Sequence, residues 1–209
     1  MKILDAIESE KLLKSKLSLP FAGSRIIEEN DLRAVKKFPV VLKIISRKLF
    51  HKSDFGAVRI AHHRNELKEG YSRLMSIVRK RKIKDSRIVV QEFVEGKELI
   101  VGLKKDSAFG HIVLLGIGGI FTEVIADVSM RVCPVSEKDA VDMIGELKAK
   151  KIIYGYRNSK KLSMNFIKKI VVNASRIPEK LPEIVELDFN PVIVNERTGR
   201  IVDARIILS

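Results

Sequence analysis

Between Leu114 and Arg131 an apolar run opens into three glycines within four residues, Gly116-Ile-Gly-Gly119, and Glu123, Asp127 and Arg131 follow at spacings of four. No other stretch limits the fold as much. A buried strand must end here in a loop whose backbone, free of Cβ atoms, approaches a neighbour or a polyanion and turns N–H groups towards it. Two carboxylates and an arginine just beyond suit metal and phosphate handling. A tight turn after a strand would use the same glycines, so the pattern needs companions. Three segments supply them: Val41-Leu-Lys-Ile44, His51-Lys-Ser-Asp54 and Glu186-Leu-Asp-Phe-Asn-Pro191.

Hydrophobic spacing predicts helices over 6–18, 65–81 and 162–176, and another over 136–148 with Ser136 and Asp139 as a weak capping box. Apolar, β-branched runs predict strands at 40–45, 57–61, 88–94, 98–104 and 111–115, and a closing hairpin of 183–194 with 201–208 around Glu196-Arg-Thr-Gly199. Alternation along that hairpin puts Glu186, Asp188 and Asn190 on one face, and Leu187 and Phe189 on the other. A four-residue loop at 196–199 pairs Asn195 with Arg200 and Asn190 with Arg205. Asp203 is then a diagonal neighbour of Asn190 on the same face, ~7–8 Å away at the backbone. Two hard oxygen ligands of this kind, completed by phosphate, make a sparse Mg²⁺ site; a solvated polar face would show the same alternation.

Several single residues carry chemistry. Lys43 is the one charge in the strand Val40–Ile45. It needs an anion such as a phosphate oxygen, or reaches solvent along its stem. His51 is either a polar loop residue or a phosphoryl acceptor, since neutral imidazole is nucleophilic near neutrality. His62, His63 and His111 have no metal-site companions, and Cys133 is a lone thiol that forms no internal disulfide.

The balance of 40 basic and 26 acidic residues leaves +14, which favours anionic partners: nucleic acid, a nucleotide with its coenzyme, or an acidic subunit. Lysines on solvated helix faces account for it equally well. Only 6% of residues are aromatic, and the chain shows no RNP motif, zinc finger or helix-turn-helix, which speaks against nucleic acid. No window reaches the ~18 apolar residues of a membrane span, so neither a membrane role nor a signal peptide is expected, and the lone cysteine points to the cytoplasm.

Taken together, the glycine run, the lysine strand, His-Lys-Ser-Asp and Leu-Asp-Phe-Asn-Pro before Asp203-Ala-Arg205 resemble the β-subunit of ADP-forming acyl-CoA (acetyl-CoA) synthetases. That protein is related to the nucleotide-binding subunit of succinyl-CoA synthetase. The resemblance runs in order from about residue 8 to residue 208. It implies an α+β ATP-grasp fold of two lobes clasping a nucleotide, one over 1–94 with the His51 loop and one over 95–209 with the Mg²⁺-binding hairpin. Phosphates of ATP or ADP fall to Lys43, Ser53 and Gly56. A hinge through Glu92 and Val94 takes adenine, with Glu92 or Glu98 near the ribose, and Gly118 and Gly119 shape the loop. His51 relays phosphoryl, Asp188 meets a phosphohistidine from the partner, Glu123 and Arg131 are catalytic or phosphate groups, and Asn190 and Asp203 hold Mg²⁺.

The implied reaction interconverts acyl-CoA, ADP and phosphate with acid, CoA and ATP. An α-subunit would bring the CoA-binding domain and the second phosphohistidine in an α2β2 assembly, because nothing in this chain resembles them. Ala57 stands where the family has a second glycine, and Tyr156-Arg157-Asn158 replaces its frequent Arg-Gly. With a shortened segment before Pro39, these departures leave open a nucleotide-binding regulatory subunit without phosphoryl transfer. A basic nucleic-acid-binding domain rests on charge alone.

Overall fold

The computed structural model describes residues 1–46, 56–119 and 126–209; the expectations for His51, Ser53 and Glu123 lie outside them. The chain divides into two units, Ala22–Phe93 and Met1–Phe21 with Val94–Ser209.

In the smaller unit, β2 (Ser24–Ile26), β3 (Val40–Ile45), β4 (Val58–Ala61) and β5 (Arg87–Glu92) form an antiparallel sheet in the order β2-β5-β3-β4. Helix α2 (Arg64–Lys80) presents Leu67, Gly70, Tyr71 and Leu74 at helical spacing, and these pack with Leu42, Ile44, Ile88 and Val90 into one core. The His63 ring accepts the Glu66 N–H at the start of α2, and Arg79 and Lys80 suit the dipole at its end.

In the larger unit β1 (Lys2–Leu4), β6 (Lys97–Asp106), β7 (Gly110–Ile117), β8 (Val128–Val132), β9 (Ile184–Val194) and β11 (Ala204–Leu208) lie in the order β1-β11-β9-β6-β7-β8, with β10 (Gly199–Ile201) pairing β9. Helices α1 (Ala6–Lys16), α3 (Glu137–Glu146) and, after the short α4 (Lys151–Tyr154), α5 (Met164–Ser175) bury their apolar stripes against Leu99, Val101, Leu103, Val113, Leu115, Leu187, Phe189 and Ile206. All of these strand residues lie on one face of the sheet, so the alternate residues form a face free of those helices. Phe189 is fully buried and meets the Phe21 ring edge-on at 6.2 Å.

The first twenty-one residues depart from the expected division at 94/95. β1 pairs with β11, and Ile201 donates its N–H to the Pro20 carbonyl, so this segment belongs with the C-terminal unit. Its helix is fixed by a full capping box, in which Asp5 accepts the N–H groups of Ile7 and Glu8 while Glu8 accepts that of Asp5. The helix expected through residue 148 ends at Glu146: the Leu147 N–H turns to the Ile144 carbonyl, and those of Lys148 and Ala149 go to the Asp127 carboxylate. The strand expected over 201–208 is broken at Val202 and Asp203, where the Val202 N–H turns to the Pro191 carbonyl.

Candidate functional site

The C-terminal hairpin builds an acidic face, in a register different from the expected one. Asn195 Oδ1 accepts the N–H groups of Arg197 and Thr198, and the Asn195 N–H bonds to the Thr198 carbonyl. This side-chain-closed turn takes Asn195 out of the strand and pairs Val194 with Gly199. Arg205 therefore stands opposite Asp188, not Asn190. Asn190 faces Asp203 directly and donates its N–H to the Asp203 carbonyl at 3.2 Å. The expected diagonal pair is a directly opposed one.

Glu186, Asp188, Asn190, Asp203 and Arg205 share the face opposite α1, α3 and α5, while Leu187, Phe189, Ala204 and Ile206 fill the core on the other side. The Asp188 carboxyl is pushed up to about 6 by its burial first, then by the charges of Asp203 and Glu186. Arg205 and a hydrogen bond from the Asn190 side chain oppose that rise. On the neighbouring strand Gly102 lies opposite Asp188, with no side chain to cover it, and Lys104 lies opposite Glu186.

A half-buried carboxylate crowded by two others is a natural seat for a divalent cation, and the donors are hard oxygens. Among the described residues no group of three or more His, Cys, Asp or Glu is arranged to hold a metal by itself. The set fits a sparse Mg²⁺ site, in which Asn190 and Asp203 supply protein oxygens and phosphate supplies others.

The glycine loop meets Glu98. Gly118 donates its N–H to the Glu98 carbonyl at 2.8 Å, and a Cβ at Gly118 would lie 2.9 Å from that carbonyl carbon. Gly119 adopts φ +91°, which disfavours any other residue. Glu98 stands on the same side of its strand as Gly102, since Leu99, Val101 and Leu103 point to the core. The structure thus brings together Glu98, Gly118 and Gly119, and separately Asp188, Asn190 and Asp203.

Arg131 is not with them. It pairs with Val113, whose side chain is in the core, so it projects to the helix side of the sheet and grips Glu146 of α3 through both carboxylate oxygens. Ser129 donates to the same carboxylate, and the two partners, Arg131 first, hold the Glu146 carboxyl down to about 2. Asp127, the middle member of that spacing, is 5% exposed and accepts the Lys148 and Ala149 N–H groups at 2.7 and 2.8 Å. Both residues knit β8 to α3.

In the smaller unit Lys43 is buried at 5% exposure on the sheet face away from α2, between Val58 and Val89. Gly56 takes φ +61° in the turn before β4. Ala57 is fully buried in that core and its carbonyl accepts the Ile44 N–H, a packing reason for a side chain there. Glu92 is tied to Gly23: its carboxylate accepts the Gly23 N–H at 3.3 Å and its own N–H donates to the Gly23 carbonyl at 2.8 Å. Val94 opens the larger unit. Burial pushes the Cys133 thiol up to about 11, which keeps it an unreactive packing group.

Sequence reasoning missed Arg205 as the neighbour of Asp188, and Lys104 as that of Glu186. For Arg205 the signal was Asn195, an Asx-turn residue standing where a strand residue was assumed.

A family model described as an ATP-grasp domain matches residues 1–208. The chain is 38% identical over 191 residues to the β subunit of ADP-forming acetate–CoA ligase I of Pyrococcus furiosus, covering 87% of this chain and 82% of that subunit. It is 36% identical over 193 residues to ADP-forming acetate–CoA ligase I of Archaeoglobus fulgidus, covering 90% of this chain but spanning 28% of that protein. Among solved structures, the dinucleotide-forming acetyl-coenzyme A synthetase 1 of Ca. Korarchaeum cryptofilum with coenzyme A and Ca-AMPCP superposes with a TM-score of 0.89 at 39% identity, over 100% of this chain and 94% of that one. A second structure of that protein, with Mg-AMPPCP and a phosphohistidine segment pointing towards the nucleotide-binding site, gives 0.84 at 39% identity, over 100% and 93% of the two chains.

Proposed function

Because this chain belongs to the ATP-grasp domain family, we propose that it is the nucleotide-binding β-subunit of an ADP-forming acyl-CoA synthetase. It interconverts acyl-CoA, ADP and phosphate with acid, CoA and ATP. The observation that carries this reading is the opposed pair Asn190–Asp203 beside Asp188 on the sheet face opposite α1, α3 and α5. Its relatives include subunits named β, so a second subunit is implied. That subunit would bring the CoA-binding domain and a second phosphohistidine, in an α2β2 assembly in the cytoplasm.

Phosphoryl transfer asks the protein chiefly for positioning and charge neutralisation. Lys43 neutralises phosphate oxygens, the backbone at Gly56, Gly118 and Gly119 gives room for close approach, and Glu92 or Glu98 orients the ribose. Asn190 and Asp203 hold Mg²⁺, which when bound supplies charge compensation to the phosphates. His51, from the His-Lys-Ser-Asp motif, attacks the γ-phosphorus through its ring nitrogen; the P–N bond forms as the bond to the ADP oxygen breaks. Ser53 and Glu123 steady the phosphoryl group. Asp188 receives the incoming phosphohistidine segment of the partner.

Incubation with γ-labelled ATP and Mg²⁺ tests this reading, using the chain with its α partner beside His51→Ala and Asp203→Ala. Acid-labile, base-stable label on the wild type that is lost in both variants is expected. ATP binding without label, in the presence of the partner, would make the chain a nucleotide-binding regulatory subunit instead.

A further inference from the structure

Arg205 stands opposite Asp188 in the β9–β11 ladder, and Asp203 precedes it by two residues on the same face. Glu186 lies two residues before Asp188, and Lys104 faces Glu186 from the other side. Three carboxylates are thus set against two cations on adjoining strands, and of these two it is the guanidinium that stands opposite the carboxyl next to the Asn190–Asp203 pair. Directly opposed side chains in a ladder have Cβ atoms ~5 Å apart, so a cation at Arg205 and a divalent ion at Asn190 and Asp203 repel across about 6 Å.

We propose that Arg205 is the resident counter-cation of this face: it holds the carboxylates together before the metal arrives, keeps nucleotide-free metal affinity low, and attracts phosphate once the metal is in place. This rests on the proposed nucleotide site and deepens it. The residue acts through its charge on the carboxylates and is a positioning residue. Its logic is a coupling of two affinities with opposite sign. Carboxylates crowded without a cation would capture free divalent ions, whereas with the guanidinium they bind the ion well only together with an anion. Metal without nucleotide is then held weakly, and the loaded site is net attractive to polyphosphate.

The test uses the full chain, Mn²⁺ as probe read by electron paramagnetic resonance, and ADP by calorimetry, for wild type, Arg205→Met, Arg205→Lys and Asp203→Asn. Repulsion between a unit and a divalent charge ~6 Å apart in water-like surroundings is worth about tenfold in affinity. Arg205→Met should therefore bind nucleotide-free Mn²⁺ about tenfold more tightly while its metal-dependent affinity for ADP falls. Arg205→Lys should stay within about twofold of wild type, and Asp203→Asn should lose metal. A merely structural role would weaken both ligands together. Equal or weaker Mn²⁺ binding by Arg205→Met, Arg205→Lys behaving as Arg205→Met, or no Mn²⁺ binding by either would overturn the proposal. Failure of the wild type to bind ADP with any metal would instead overturn the nucleotide-site reading, and the nucleotide-free comparison would still decide the role of Arg205.

Discussion

Asp127→Ala should cost stability without touching nucleotide chemistry. The Asp127 side chain is 5% exposed, and its two oxygens accept the N–H groups of Lys148 at 2.7 Å and Ala149 at 2.8 Å. A hydrogen bond to a charged acceptor contributes about 1.5–3 kcal/mol, and a part-buried N–H left without a partner costs about 1–3 kcal/mol. The two bonds share one carboxylate and serve adjacent residues, so the losses overlap, and ~3 kcal/mol is a reasonable net figure. In a chain of 209 residues that lowers Tm by ~6–12 °C. Asp127→Asn keeps one acceptor and should fall between wild type and alanine. Thermal unfolding followed by circular dichroism at 222 nm, with ADP binding measured in parallel, reads both quantities. A loss below ~0.5 kcal/mol together with abolished ADP binding would refute the structural role. It would return Asp127 to the metal- and phosphate-handling group that its spacing suggested.

Two further outcomes follow from neighbouring geometry. The Glu146 carboxyl is depressed from 4.5 to about 2 by Arg131 and Ser129, so its stabilisation is complete above pH ~4.5 and is lost as pH falls towards 2. Wild type should lose Tm more steeply across that window than Glu146→Gln, and parallel curves would show that the clamp does not stabilise. Gly118→Ala would put a Cβ 2.9 Å from the Glu98 carbonyl carbon, displacing the loop at about 1–3 kcal/mol and weakening ADP binding, whereas unchanged affinity by calorimetry would mean that the loop yields freely.

Long apolar patterns were legible. The strand Val40–Ile45 has the expected bounds, and α2, α5 and the Ser136-capped α3 lie within a few residues of their expected places. β8 was missed for a physical reason. Its exposed side carries Met130 and Val132, 54% and 51% exposed, while Ser129 and Arg131 face α3 and bond to Glu146. The usual polar-out, apolar-in alternation is inverted there, and Arg131 reads as a catalytic or phosphate group when, with Ser129, it forms a seam between strand and helix. β1 and β2 span three residues each, too few for periodicity to register.

The acidic face shows why some site residues could be read in advance and others not. The expected pairing was wrong by two residues, and two is the period of a strand, so Glu186, Asp188, Asn190, Asp203 and Arg205 kept their common face. Asn190 and Asp203 remained together, and the true register drew them from diagonal to direct opposition. A slip of one would have sent Asp203 into the core beside Phe189. Over 186–190 and 203–205 the face a residue occupies follows from alternation, and so Asp188, Asn190 and Asp203 were accessible from the sequence, whereas Val192, Val194 and Ile201 lie in the core beyond breaks in that alternation. Which residue it confronts across the ladder follows from the turn, and there the deciding group was the Asn195 side chain closing on Arg197 and Thr198. Arg205 owes its place opposite Asp188 to that turn. The charge balance of the site is therefore a consequence of a surface loop, and a change at Asn195 that shifted the register by two residues would move the guanidinium off Asp188 while leaving each carboxylate on its face.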